Sequence, residues 1–215
     1  MLIKKLLMEN KIECKKTFRY FTLGNIKKAK HLLIVLHGYG QLAEYFIKKF
    51  EDLSEDFFIV APEGMHRFYL KGSSGRVGAS WMTKEARETD ISDNLNWLNE
   101  LYTQINSEKK FDQKVVLGFS QGGATAARWI DERKDITSFI LWASVFPPDL
   151  LIGNEIINSE ERSNHFVLGN EDEYFTKEQQ SECLSFFTQN NYKTHVFNGK
   201  HTIDNQILKT ILSEI

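Results

Sequence analysis

Apolar residues fall in two rhythms along the chain. Nearly continuous apolar runs at residues 32–36, 57–61, 115–119, 139–143 and 165–168 have the length and composition of strands covered on both faces. A strand-like stretch follows at 193–197, and residues 17–23, closed by Gly24-Asn25, predict an early strand on a hairpin-like edge. Between these runs the period changes. Ile91, Leu95, Leu98, Tyr102 and Ile105 recur at spacings of three and four and predict a helix over 89–106. The same stripe returns in Ile203, Ile207, Leu208, Ile211 and Leu212, and Leu42, Phe46, Phe50 and Leu53 predict a further helix over 41–53. Residues 123–133 have helical character, and another helix begins near Thr176. Strands alternating with helices predict an α/β fold, a three-layer sandwich around a mainly parallel central sheet.

No repeat, low-complexity tract or linker interrupts the alternation, and only three prolines occur, so residues 1–215 are expected to form a single domain. The one long stretch without clear periodicity is 63–83, expected to be a lid or substrate loop.

Composition narrows the classes. With 41% hydrophobic and 26% charged residues the chain has the balance of a soluble globular protein able to bury one sizeable core. A net charge of −2, with Lys and Arg scattered among Asp and Glu, leaves no electrostatic footprint for nucleic acid or an anionic membrane surface. Cys14 and Cys183 lie far apart, without the spacing of a disulfide framework or a zinc site, so no metal is expected. Lysines split the apolar residues from Met1 to Met8, a poor secretory signal, and no apolar run reaches the length needed to cross a bilayer. A cytoplasmic location is expected.

The chemistry starts at Gly118-Phe119-Ser120-Gln121-Gly122, which joins the apolar run before it to the helical stretch after it. A serine that projects its hydroxyl from the tip of a strand needs so sharp a reversal that the residues two before and two after have no room for side chains. Ser120 is therefore the expected nucleophile on a nucleophile elbow. The N–H of Gln121 opens a helix, where unpaired N–H groups favour negative charge.

A serine hydroxyl needs a base to take its proton and a third group to hold that base. Where a serine sits on such an elbow, the partners follow in the order serine, acid, histidine. After Ser120 the histidines are His165, His195 and His201. His201 follows the strand-like 193–197 and lies where ligands meet an open α/β sheet, whereas His195 lies within that run and His165 at the wrong end of its own. His201 is the expected base. The run 165–168 leads into Gly169-Asn170-Glu171-Asp172-Glu173, and Asp172, three residues past the glycine and with the shorter side chain, is the expected acid, with Glu171 and Glu173 as alternatives. A second oxyanion donor is expected from Leu36-His37-Gly38-Tyr39-Gly40, where the amide of Tyr39 would pair with that of Gln121.

Assembled, these motifs resemble the carboxylesterase and phospholipase family of α/β-hydrolases, which includes acyl-protein thioesterases. The resemblance rests on His37-Gly38-Tyr39-Gly40, Ala61-Pro62-Glu63-Gly64, Ser80-Trp81, the elbow with Gly123, Gly169-x-x-Asp172 and Gly199-Lys200-His201. Residues 75–83 and Phe146-Pro147-Pro148-Asp149 look like a subgroup of predicted esterases. The resemblance implies hydrolysis of carboxylic or thioester bonds through an acyl-serine, with no metal or organic cofactor, and a small-molecule acyl ester is the expected substrate. It also implies that Trp81 lines the acyl pocket, with Phe68, Tyr69 and Phe146 as further substrate-binding candidates; core packing is the alternative for all of them. His37 in this motif braces its loop. Lys200 departs from the family, standing where members commonly carry a second glycine. A serine carboxylesterase is the leading reading. An acyl thioesterase or lysophospholipase-like lipid deacylase would share its chemistry, and a catalytically silent binding protein on a hydrolase scaffold is the reading of a different class.

Overall fold

The computed structural model describes residues 8–131, 133–152, 155–156 and 162–214. Residues 1–7, most of the segment read as a poor secretory signal, lie outside the described residues, as does residue 132 near the end of the helical stretch 123–133.

In chain order the elements are β1 (Tyr20–Leu23), β2 (His31–Leu36), α1 (Ala43–Phe46), β3 (Phe57–Pro62), β4 (His66–Tyr69), β5 (Val77–Ser80), α2 (Arg87–Glu108), β6 (Lys114–Phe119) and α3 (Gln121–Ile130). There follow β7 (Ser138–Trp142), β8 (Leu151–Ile152), β9 (Glu155–Ile156), β10 (Ser163–Gly169), α4 (Lys177–Gln189), β11 (Lys193–Phe197) and α5 (Asn205–Ser213). Seven strands make the central sheet in the order β1-β3-β2-β6-β7-β10-β11. Only β1 runs antiparallel, pairing Tyr20 with Pro62 and Leu23 with Ile59. The five continuous apolar runs became the inner strands, and β2, β3, β6, β7 and β10 are buried almost throughout because helices cover both faces.

The sheet reverses direction at β2. The crossover from β2 to β3 steps one way, and those from β6 through β7 and β10 to β11 step the other. Right-handed crossovers then put α1 on one face and the helices of the β6–β11 half on the other. The last helix returns to the α1 face, where Lys209 of α5 reaches Asp52 at 2.9 Å.

Three expectations are modified. The helix over 41–53 is one short α-turn continued as a 3₁₀ helix over Ile47–Leu53. Ile47, Phe50 and Leu53 are three apart, the spacing that a 3₁₀ helix stacks on one face. The stretch 63–83 contains an antiparallel hairpin of β4 and β5, with His66 opposite Ser80 and Tyr69 opposite Val77. The burial of β4 does alternate, but over only four residues, too few for a period of two to stand out from the sequence. The run 139–143 ends as a strand at Trp142, since Ala143 turns to a φ of 48°. Among the described residues no helix is long and apolar enough to cross a membrane.

Candidate active site

Ser120 joins the end of β6 to the start of α3 with φ 53° and ψ −124°. A non-glycine residue held at positive φ stores strain of order 1–3 kcal/mol and persists only where its surroundings enforce it. Here the enforcement is visible. The Ser120 N–H donates to the carbonyl of Trp142 at 2.9 Å, and its own carbonyl accepts from the Gly123 N–H at 2.8 Å. A Cβ on Gly118 would lie 2.5 Å from the Gly123 Cα, and one on Gly122 would lie 2.5 Å from the carbonyl oxygens of Leu36 and His37. Both glycines are sterically required.

The serine opens onto a cavity of about 610 Å³ whose wall also includes Gln121, Ala143, Tyr174 and His201. His201 reaches it from the loop after β11 and Asp172 lies in the loop after β10. Those loops are stitched together: the Asn170 N–H donates to Phe197 O and the Glu171 N–H to Gly199 O, each at 2.9 Å, and the Gly199 N–H donates to Asn170 Oδ1 at 3.2 Å. The stitching brings His201 Nδ1 to 2.7 Å from Asp172 Oδ2. A carboxylate can only accept, so Nδ1 carries a proton, and in the neutral ring Nε2 keeps its lone pair. Asp172 is 2% exposed, and its other oxygen accepts the Tyr174 N–H at 3.0 Å. The imidazole is held between Phe119 and Tyr174, with ring centroids 4.7 and 4.5 Å away. Glu171 and Glu173 are exposed, and Glu173 accepts the main-chain N–H of His201 at 3.4 Å. Among the described residues Ser120 Oγ makes no hydrogen bond, and it shares with His201 only the wall of one cavity; hydrogen bonds of this kind are often long or unformed in a site without substrate.

Lys200 costs the histidine loop nothing. Its φ is not positive and its side chain is exposed, so the position does not require the absence of a Cβ.

The loop carrying Tyr39 lies directly against the serine. A Cβ on Gly38 would stand 3.2 Å from Ser120 Cβ. Among the described residues the main-chain N–H groups of Tyr39 and Gln121 have no acceptor. The loop is braced from several sides. His37 is fully buried; its Nδ1–H donates to Gly38 O at 2.8 Å while Nε2 accepts the Gly64 N–H at 3.0 Å. Burial pushes its pKa down to about 4, so the ring stays neutral and keeps that pattern. The Gly38 N–H donates to Gln41 Oε1 at 3.1 Å, and the Gly40 N–H to Ala79 O of the hairpin at 2.8 Å.

Of the expected substrate-binding aromatics, Trp81, Phe68 and Tyr69 lie away from the wall of the cavity at Ser120, and Phe146 lines a smaller cavity that adjoins it. Trp81 is fully buried, donates Nε1–H to His37 O at 2.8 Å and packs beside the His37 ring at 5.1 Å. Phe68 lies against Tyr39, with centroids 5.2 Å apart, and Tyr69 is half exposed on the outer hairpin strand. Phe146 packs edge-on against Phe187 at 6.3 Å.

Several supporting residues were not legible in the sequence. The Gln121 side chain accepts from the Trp81 N–H at 3.1 Å and donates to Met82 O at 2.9 Å, tying the elbow to the end of the hairpin. Glu63 is buried, paired with Arg19 at 2.6 Å and Arg67 at 3.2 Å, and it accepts the Ala43 N–H at 3.3 Å, serving the otherwise uncapped start of α1. Arg128, buried in α3, holds Asp149 through two bonds of 2.6 Å at the cavity wall. An isolated carboxylate, amide or arginine of this kind has no local pattern that announces its partner.

A mostly parallel seven-stranded sheet with one antiparallel edge, and a strained serine at a strand-to-helix elbow, define an α/β-hydrolase. A family model described as Serine hydrolase (FSH1) matches residues 26–210. The chain belongs to that family and is a serine hydrolase. No curated protein matches it in sequence. Solved structures that share the fold include a carboxylesterase from Mesorhizobium loti, at 15% identity and a TM-score of 0.71 over 92% of this chain and 95% of that one. The esterase PE8 is similar at 21% identity and a TM-score of 0.66, over 93% of this chain and 100% of that one. Acyl-protein thioesterase 2 of Zea mays is similar at 15% identity and a TM-score of 0.65, over 91% of this chain and 96% of that one.

Proposed function

We propose that the chain is a serine carboxylesterase that cleaves small-molecule acyl esters through an acyl-serine intermediate. The observation that carries this reading is the 2.7 Å bond from His201 Nδ1 to the buried Asp172, at the wall of the cavity that Ser120 also lines. Ser120 Oγ bonds to the acyl carbon while His201 Nε2 takes its proton, and the carbonyl electron pair moves onto oxygen. The main-chain N–H groups of Tyr39 and Gln121 receive that oxyanion. The intermediate collapses, the C–O bond breaks, and His201 returns the proton to the departing alcohol. Water repeats the sequence and frees the acid. Asp172 holds the tautomer and stabilises the imidazolium. Residues 1–215 act as one catalytic domain, and within 63–83 the part that meets substrate is the end at Met82 and Thr83, which lines the cavity. Thioesters fit the same oxyanion site. The scattered charge and two free cysteines favour a small cytoplasmic substrate over nucleic acid.

Short-chain p-nitrophenyl esters and a fluorophosphonate probe test this. The wild-type protein should hydrolyse the esters and label once, and Ser120→Ala should lose the label and at least about 10³-fold in rate. Unchanged turnover in Ser120→Ala, or no turnover in folded wild-type protein, would sink the proposal.

A further inference from the structure

The cavity at Ser120 extends along one face of α3. Gln121, Ala124 and Arg128, at spacings of three and four, line it in turn. At a rise of about 1.5 Å per residue, that face carries the wall about 10 Å from the elbow. Lys84 and Arg87 join the wall from the turn into α2, the helix packed against α3. Arg87 acts at the Arg128 end: the hydrogen bond from Arg128, with Arg87 beyond it, holds the Asp149 carboxyl below its usual value against the opposite pull of burial.

The charge at this end does not cancel. Arg128 and Asp149 neutralise each other, but among the described residues the side chains of Lys84 and Arg87 have no hydrogen-bond or ion-pair partner. The acid on the wall, Glu182, comes from α4, which packs on β10 and β11. Arg87 opens α2, where no side chain caps the helix and the first N–H groups add partial positive charge. A cation weakens a helix at that end, so the position gains nothing for the fold. Arg128 also has donors to spare. Its side chain is 3% exposed, and of the five N–H groups of a guanidinium two go to Asp149 and one, at 3.4 Å, to Ala124 O, which leaves two.

We propose that the substrate ester also carries a carboxylate, received by Lys84, Arg87 and Arg128 at the end of the cavity remote from Ser120. The proposal rests on the reading of Ser120 as the nucleophile. A guanidinium fork matches the two oxygens of a carboxylate, and Lys84 adds a mobile point charge. Long side chains on a helix lean toward its N-terminus, so Arg128 reaches back toward the serine, and about four to six methylenes span the remaining gap.

The test compares kcat/KM within pairs that differ by a terminal methyl exchanged for a carboxylate. On the acyl side these are p-nitrophenyl hexanoate with mono-p-nitrophenyl adipate, and the octanoate with the suberate. On the alcohol side they are p-propylphenyl acetate with p-(carboxyethyl)phenyl acetate. In one arm the carboxylate should raise kcat/KM about tenfold, the equivalent of about 1.4 kcal/mol, and the arm that responds tells whether the acid or the alcohol lies along α3. Lys84→Gln combined with Arg87→Gln should bring that ratio close to one, and Lys209→Gln, on α5, should leave it unchanged. Because a ratio is read, a smaller folded fraction does not disturb it. A ratio of one or below in both arms, a ratio that the double variant keeps, or an equal fall in Lys209→Gln would overturn the carboxylate site while leaving the esterase reading intact. Failure of folded protein to cleave any ester would overturn both.

Discussion

The side-chain carbonyl of Gln121 accepts the main-chain N–H of Trp81 at 3.1 Å. One residue thereby serves both sides of the cleft. Its main-chain N–H is the proposed oxyanion donor on the elbow, and its side chain anchors the strand end whose tryptophan donates to His37 O. The two proposed oxyanion donors are thus linked through Gln121, Trp81 and His37.

Gln121→Ala removes that link but keeps the main-chain donor. It leaves the Trp81 N–H without a partner, while Met82 O keeps the Ser80 hydroxyl at 2.9 Å, and the loss should cost about 1–3 kcal/mol of stability. The kcat should fall more than KM rises, because a donor pair that has lost its spacing binds the developing oxyanion less well than the ground-state ester. Urea denaturation with steady-state kinetics checks both, and a variant with wild-type stability and kcat would show that the link is dispensable.

Asp172→Asn should leave the fold in place and lower kcat by about 10⁴. An amide can donate to Nδ1 and so favours the tautomer whose Nε2 already carries a proton, which cannot accept one from Ser120. Circular dichroism should be unchanged and fluorophosphonate labelling slowed in proportion to kcat. Normal activity here, together with loss in Glu173→Gln, would transfer the role of acid to Glu173.

Gly122→Ala puts a methyl 2.5 Å from two main-chain oxygens, those of Leu36 and His37. Neither oxygen belongs to a flexible side chain, so the turn or β2 must shift, at a cost of about 1–3 kcal/mol. Thermal denaturation should show the loss, and ester turnover should fall with it because the Tyr39 loop starts at the strand that moves.

Stability should fall on mild acidification. Burial lowers the His37 pKa from 6.5 to about 4, outweighing the opposite pull of the hydrogen bond to Gly38 and of Glu63. The unfolded chain therefore binds a proton near pH 6.5 that the native state refuses until about pH 4, so the stabilisation is whole above that window and lost as pH falls through it. The gap is equivalent to about 3 kcal/mol. His165 and His195, whose rings stack with centroids 5.3 Å apart, are shifted in the same direction by burial and add to the slope. Urea titrations from pH 7.5 to 5 should give stability rising with pH, and a flat profile would contradict a neutral buried His37.

How much of this could be read from the chain follows from the range of each interaction. The inner strands were legible because a strand buried on both faces must be apolar at every position. The elbow was legible because its steric demand spans five neighbouring residues, and His201 because the loop past a strand end is a local feature. Which of three adjacent carboxylates meets that histidine is not local. Asp172 and His201 are 29 residues apart, and only the parallel register of β10 with β11, Gly169 opposite Phe197, turns one side chain inward and leaves Glu171 and Glu173 in water. Trp81 had the same ambiguity, since an aromatic side chain suits a core as well as a pocket, and the packing of the hairpin against the His37 loop placed it in the core. Sequence alone thus determined the layered fold, the turn that carries Ser120 and the loop that carries His201, because those depend on neighbours along the chain. The tertiary structure decided the acid's partner, the clamp of Gln121 and the walls of the cleft, because those depend on residues that meet only when the sheet closes.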